Sequence, residues 1–468
     1  MRFRVSQPIL VIAAVCALAM LPWYAVQLTR TFHIDYVAFR CAGLAVLHGQ
    51  DPYLDRSLHD CELARGLLPS LTVPAPHPPY AMALFAAAAS LPESIAFAMW
   101  SALAIGAAAL AARALSRLTS LETSLTASAI VALVLIPSLA LGQLVPIAVG
   151  GATCALELVR ERRWLFAAFG LCIAALLPNF ALPAWIAAFV FVPRMRLPLT
   201  CCGLGLLALS VACVGTHATL QYFDGVLPAH GRSELGAFWQ MGSATWLAGL
   251  GASTQTALAL SAVLYAALAA AGIAVGIRLR AHYGGDHWIL ASAMAFGVVG
   301  SPFVHSLDLG FALPLAFMLY AAAPERIAAR FAAIAIVVPW QYLAHDAGIS
   351  AAFTIPFLLV VVDAIGALPP IATAAIVAAV AAGSLEAYRA AHAAEVQLAA
   401  ARAVPTNLPM PLDALAETRW GAFAKAAADR TTGWFSRVPT AIALLVLLGT
   451  AIAQSASYNR NPAARPSR

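Results

Sequence analysis

What most constrains this chain is a succession of long apolar runs separated by short, arginine-rich turns. The runs fall at about 8–28, 92–112, 124–141, 146–159, 164–177, 180–192, 197–216, 256–277, 287–302, 307–322, 326–340, 350–365, 367–383 and 439–455. A straight helix needs roughly 20 apolar residues to cross a bilayer, so the longer runs predict spanning helices and the shorter ones half-spans or helices extended by their flanks. Composition agrees: 62% of residues are hydrophobic, 10% are charged, and mean hydropathy is +0.84. A soluble domain carries about a quarter of its residues as charges. The expectation is an all-α polytopic membrane bundle of about 12 to 14 transmembrane helices, with no soluble domain large enough to fold alone.

The basic residues set the threading. Net charge is +6, and Lys425 is the only lysine. Arginines cluster at Arg2 and Arg4, Arg113 and Arg117, Arg160 to Arg163, Arg194 and Arg196, Arg278 and Arg280, Arg326 and Arg330, and Arg460 to Arg468. The positive-inside rule puts each cluster in the cytoplasm, against anionic membrane lipids, and their dispersal over separate turns speaks against nucleic acid as a partner. The outward segments are then 29–91, 142–146, 177–180, 217–255, 301–308, 341–346 and 384–438, and they hold nearly all the histidines and most of the acids. The run at 8–28 reads as a retained signal anchor, being longer than a signal core and lacking a small-residue cleavage pattern. "PPYAMALFAAAASL" at 78–91 is too short to span and reads as a re-entrant or interfacial helix. Segment 384–438, with Trp420 and Trp434 among charges, reads as an outer amphipathic stretch. The division is therefore a bundle over 1–383 with outer loops 29–91 and 217–255, the segment 384–438, and a last span with a basic tail over 439–468.

Six of the eight cysteines lie in apolar runs, where a thiol behaves as a small hydrophobe. Cys41 and Cys61 lie in the polar segment after the first run, and close a disulfide if that segment faces an oxidising compartment. No CxxC or Cys/His spacing suggests a metal, and His48, His59 and Asp60 read as solvated loop residues. Asp35, Asp51, Asp55 and Asp60 crowd into the same segment. Asp35 lies just beyond the first run, near the outer interface, where a carboxylate can act as general base on a lipid-borne substrate; the alternative is a helix N-cap for "IDYVAFRCAGLAVL". Asp51 and Asp55 read as turn and surface residues.

At this point the order of motifs resembles glycosyltransferase family 87. The resemblance is carried by "DYVAF…GLAVLHGQDPYLD", "HPPYAMALFAAAASLP", "ALGQLVP", "LPNF" and "SPFVHSLDLGFALPLAF", over about residues 1–325. It implies a membrane-embedded C-type glycosyltransferase bundle, moving a sugar, typically mannose, from a polyprenyl-phosphate donor to a lipid or glycan acceptor at the outer face of a bacterial inner membrane. It implies no cofactor and no metal, and the absence of a DxD element agrees. Asp35 matches the family's proposed base. Phe39, Tyr53, His77, Gln143, Asn179, His305 and Asp308 become candidate substrate contacts. Val145 stands where many members have Asn, and Leu177 where many have Lys, so the donor-phosphate contact falls to His305, His77, Arg40 or an arginine of another loop. Bland alternatives stand beside these roles: Gln143 and Asn179 as helix-end groups, His305 as an interfacial histidine, Asp308 as the partner of an arginine. Two other functions compete: a transporter or flippase of lipid-linked sugars, for which inverted repeats and midplane charges are the missing signs, and a noncatalytic family member.

Overall fold

A computed structural model describes residues 33–237, 239–338, 340, 349–366, 410–426 and 430–457. The expected first anchor, the segment 341–346, the run at 367–383 and the basic tail lie outside the described residues. What is described is helical throughout, with a single isolated bridge between Leu54 and Leu415 in place of any sheet. In chain order the helices are α1 (Ile34–Leu47), α2 (Asp55–Leu63), α3 (Met82–Ala89), α4 (Glu93–Thr119), α5 (Thr123–Leu141), α6 (Val145–Arg160), α7 (Trp164–Ala174), α8 (Pro178–Phe191), α9 (Pro193–Glu234), α10 (Ser243–Gly249), α11 (Thr254–Tyr283), α12 (His287–Gly300), α13 (Leu313–Ala322), α14 (Ile327–Val337), α15 (Ile349–Ile365), α16 (Glu417–Ala426) and α17 (Arg430–Ser457). Among the described residues five helical stretches are long and apolar enough to cross a membrane: α4, α5, α9, α11 and the Arg437–Ala456 part of α17. The chain is an all-α membrane protein. The other apolar runs form shorter helices whose turns fall close to where the sequence predicts them.

Two of the long stretches are irregular for identifiable reasons. In α5 a π-turn at Val131–Leu135 comes just before Pro137, and in α9 another at Tyr222–Val226 comes just before Pro228. A proline has no N–H for the i−4 carbonyl and its ring crowds that turn, so the widened turn absorbs the mismatch. Helix α9 also bends at Gly215, whose backbone (φ 78°, ψ 169°) leaves the helical region. Residues 217–234, expected as loop, therefore continue as helix across that bend. They carry Glu234 to the centre of the site.

Helix packing sets the depth of that site. In the α11–α12 hairpin a methyl on Gly272 would stand 2.6 Å from Phe296 Cβ, and one on Gly276 would stand 2.6 Å from Ile289 Cα. Small residues four apart let the two backbones touch. At the far end a methyl on Gly300 would stand 2.7 Å from Tyr265 Cα, so Gly300 and Tyr265 share a level. At 1.5 Å per residue that level is about 27 Å above Tyr283, and α11 continues about 17 Å beyond it. The first of these distances is close to the roughly 30 Å thickness of a hydrocarbon core, and the long helix rises past the turn after α12.

The loop expected from the sequence to face outward is a tied layer over this level. Cys41 of α1 and Cys61 of α2 form a disulfide with a Cα–Cα distance of 5.7 Å. Gly43 lies against the Phe85 carbonyl, seating α3 on α1 as a short helix that does not span. The described part of the expected amphipathic segment, 410–426, docks on this layer: Ala416 N–H donates to the Tyr53 carbonyl at 3.0 Å, and Arg419 holds both oxygens of Asp55 at 3.1 Å. Trp420 is buried among Ala38, Leu67, Leu71 and Val73. Asp55, expected as a surface charge, is buried beneath that pair. Asp51 does serve its turn, accepting the Tyr53 N–H at 2.9 Å.

Candidate functional site

Asp35 stands in the first turn of α1. The residue before the helix is His33, and no side chain caps this N-terminus. The capping alternative fails for a geometric reason: the carboxylate turns across the bundle, and Asp35 Oδ2 accepts Gln143 Nε2 at 2.8 Å. Gln143 sits in the tight turn between α5 and α6. That turn needs its glycine twice over, because Gly142 has φ 79° and an added Cβ would lie 2.4 Å from Tyr36 Cβ. Trp100 Nε1 fixes the turn by donating to the Gly142 carbonyl at 2.9 Å. The Gly-Gln pair is thus one glycine that admits α1 and one amide that orients its acid.

Asp35 is only partly covered, so a hydroxyl group can reach it, but protein surrounds it on most sides. Burial raises its pKa to about 7; the Gln143 bond and the charge of His305 pull down, and Glu234 pushes up. A carboxyl poised there is half ionised near neutrality, the condition for an efficient general base.

The second half of the site is a histidine between two acids. His305 precedes the 3₁₀ turn Ser306–Phe311, and its N–H donates to Asp308 Oδ2 at 2.8 Å. Its ring Nδ1 lies 3.5 Å from Asp308 Oδ2, and its Nε2 lies 3.3 Å from Glu234 Oε2. Burial disfavours the imidazolium, but the bonds to Asp308 and Glu234 and their charges outweigh it and raise His305 to about 10. Its side chain remains 30% exposed. Glu234 is buried and also accepts Gln240 Nε2 and, at 2.9 Å, Trp420 Nε1, with His230 Nε2 at 3.7 Å. With His305 charged, both its Nε2 and the Gln240 amide donate to the same Glu234 oxygen. Asp308 finds this histidine as its partner and not an arginine.

Asn179 joins the same level from the α7–α8 turn. Its Nδ2 reaches Ser301 Oγ at 3.3 Å and the Phe303 carbonyl at 3.4 Å, while Tyr265 Oη donates to its carbonyl at 2.7 Å. Three short turns, at 142–143, 177–179 and 301–308, therefore converge beside the start of α1.

Other candidates are placed differently. Phe39 is buried, stacked on Phe85 at 4.7 Å and 2°. Tyr53 is buried and donates its hydroxyl to the His77 carbonyl at 2.9 Å. The His77 ring packs edge-on to Phe39 and Phe85, and burial, with His230 and His305 nearby, lowers its pKa to about 3. A neutral imidazole is no phosphate counter-ion. Arg40 is no better: its guanidinium donates to the Ala88 and Leu91 carbonyls at 3.1 and 2.9 Å and lies 3.8 Å from Glu93. It clamps α1 to α3 and α4. His59 bonds Thr72 Oγ1 at 3.0 Å, away from any ligand set. Leu177 precedes α8 and brings no charge.

Sequence reasoning missed Glu234, Gln240, His230 and Trp420. A helical reading of "LPAHGRSELG" would have put His230 and Glu234 on one face, four residues apart. Nothing local announces Trp420. These elements define an all-α membrane protein with an acid and an imidazolium converging at one end of its bundle. No protein-family model, curated protein or solved structure matches the chain.

Proposed function

We propose that this chain is a membrane glycosyltransferase of the C type, moving a sugar from a polyprenyl-phosphate donor to a lipid or glycan acceptor at the outer face of a bacterial inner membrane. The observation that carries the reading is Asp35: a partly open carboxyl tuned to about 7 and oriented by Gln143. The resemblance to glycosyltransferase family 87 favours mannose as the sugar. In the step, the acceptor hydroxyl oxygen bonds to the sugar's anomeric carbon and its proton passes to Asp35. The anomeric carbon–oxygen bond to phosphate breaks, and its electron pair leaves with polyprenyl phosphate. An oxocarbenium-like state needs a base on one side and charge stabilisation on the other. His305 is the cation assigned that role, Gln143 and Asn179 are the candidate partners of sugar hydroxyls, and Asp308, buried against His305, orients that cation. The site itself is acid-rich, since Asp308 and Glu234 flank its one imidazolium. Phosphate binding here therefore leans on His305 alone, and Arg40 and His77 drop out of the assignment.

Asp35→Asn tests the reading. Asn keeps the acceptor oxygen for Gln143 and removes the proton affinity, so transfer is expected to drop about 100-fold or more. The assay is a reconstituted reaction with a polyprenyl-phosphate sugar and membrane-lipid acceptors. Full activity in the variant rejects Asp35 as base.

A further inference from the structure

Beyond the Asp35 centre lies a second concavity, of about 900 Å³, which shares none of its lining with Asp35, Gln143, His305, Asp308 or Asn179. The end of α9, α10, the start of α11, α16 and the first turns of α17 form its wall. Most of that wall is alanine, glycine, serine and threonine, which makes room and sets hydroxyls beside small apolar groups. The exceptions are Leu235, three cations, Arg232, Lys425 and Arg437, and one acid, Glu417. Arg437 is buried and anchored, donating to the Gln240 and Ala237 carbonyls at 2.7 Å each. Arg232 and Lys425 are exposed and have no ion pair or hydrogen-bond partner among the described residues.

Glu417 supplies an independent sign of a ligand. It is 3% exposed, it lines the cavity, and its Oε2 has no hydrogen-bond partner among the described residues. A buried polar atom left unpaired is costly, and a ligand in the cavity is the partner at hand. Burial raises its pKa to about 8; a bond from its own backbone opposes this, and the charges of Glu234 and Asp51 add to it. Near neutrality the group is mainly a carboxylic acid, a donor toward an oxyanion. Three fixed cations and an acid that can donate suit a ligand with one negative charge and several acceptor oxygens.

We propose that this cavity is a second ligand site that takes a phosphodiester group, with Arg232 and Lys425 pairing with its charge and the Glu417 carboxyl donating to a phosphate oxygen. The serine and threonine hydroxyls of the wall suit a glycerol or sugar carried on the ester. Leu250, next in the chain to the lining residue Gly249, is 80% exposed, and an exposed leucine following the wall favours a lipid headgroup over a soluble diester. The site stands independently of the role given to Asp35.

The test uses the full chain in phosphatidylcholine nanodiscs with fluorescent phosphatidylglycerol as the probe. Arg232→Ala with Lys425→Ala removes two exposed side chains, so folding is retained, and binding is expected to weaken at least tenfold. A phosphodiester does not titrate between pH 7 and 9, so the wild-type affinity is expected to fall over that interval as Glu417 becomes an anion. Glu417→Gln should flatten the dependence. The charges of Glu234 and Asp51 and the hydroxyls of Tyr53 and Tyr222 act on this group, Arg232, Lys425 and Arg437 share its cavity wall, and the Gln variant isolates its share. Soluble glycerophosphoglycerol separates the sources: competition at equal concentration assigns a soluble diester, and its failure assigns the lipid. Equal affinity in the wild type and the double variant overturns the proposal, as does an unchanged pH dependence in Glu417→Gln.

Discussion

Asp35 and Asp55 belong to the same polar segment, yet their surroundings differ in kind. Asp55 is buried against Arg419, whose guanidinium meets both of its oxygens at 3.1 Å. Among the described residues Asp35 has no cation in bonding range; its partner is the neutral amide of Gln143, and its pKa rises to about 7. A fork of two charge-assisted bonds fixes an acid in one state. A neutral partner in a poorly solvated place leaves the acid able to take and release a proton. Of the two, the first is built to hold the fold, the second to do chemistry.

The largest effect that separates them is on stability. Asp55→Ala strands the buried Arg419, and breaking such a pair costs about 3–5 kcal/mol. Denaturation of the detergent-solubilised protein should show that loss, with activity per folded molecule unchanged. Next is the disulfide that braces the same loop. With a sequence separation of 20 residues, replacing Cys41 and Cys61 by serine is expected to cost about 3 kcal/mol on the chain-entropy model, read as a lower unfolding midpoint. Non-reducing mass spectrometry that finds both thiols free in the wild type would break this limb.

Asp35→Asn should do the opposite of Asp55→Ala. The folded state keeps a proton on Asp35 between pH 4 and 7 that the unfolded chain releases. The stability from this group is present at low pH and lost as pH rises through that window. Asn removes the penalty, so the variant is expected to be at least as stable as the wild type at pH 8 while losing transfer. A lower melting temperature at pH 8 would put Asp35 among the structural acids. The smallest effect sharpens the contrast. Gln143 favours the ionised form, so Gln143→Ala should raise the apparent pKa of the rate profile above 7, with a several-fold loss at pH 6.5 that is recovered by pH 8.5. An unmoved profile would mean that Asp35 is not the group being titrated.

Much of this was legible in the chain. Apolar runs and turns are local properties, and most helix boundaries fall within a few residues of the runs. Asp35 could be singled out as an acid just beyond an apolar run, and Gln143, Asn179, His305 and Asp308 as polar residues of short turns that the family resemblance marked. Among the described residues five helices are long and apolar enough to span, fewer than the apolar runs, because hydrophobicity reports burial without telling lipid from protein. Helices such as α12 and α13 are apolar all round because neighbouring helices cover them.

The sequence by itself determined the membrane character, the order of the turns and the side on which polar residues gather, since these depend on patterns within about 20 residues. Only the tertiary structure decided what each polar group became. Arg40, His77 and Tyr53 lie in the same stretch as Asp35, and three-dimensional packing committed them to carbonyls and aromatic contacts. Glu234 and Trp420 came to the site from regions that read as loop and as surface helix, 186 residues apart. Protonation state and hydrogen-bond partner are set by what surrounds an atom within a few ångströms, and in a folded bundle most of those neighbours are remote in the chain.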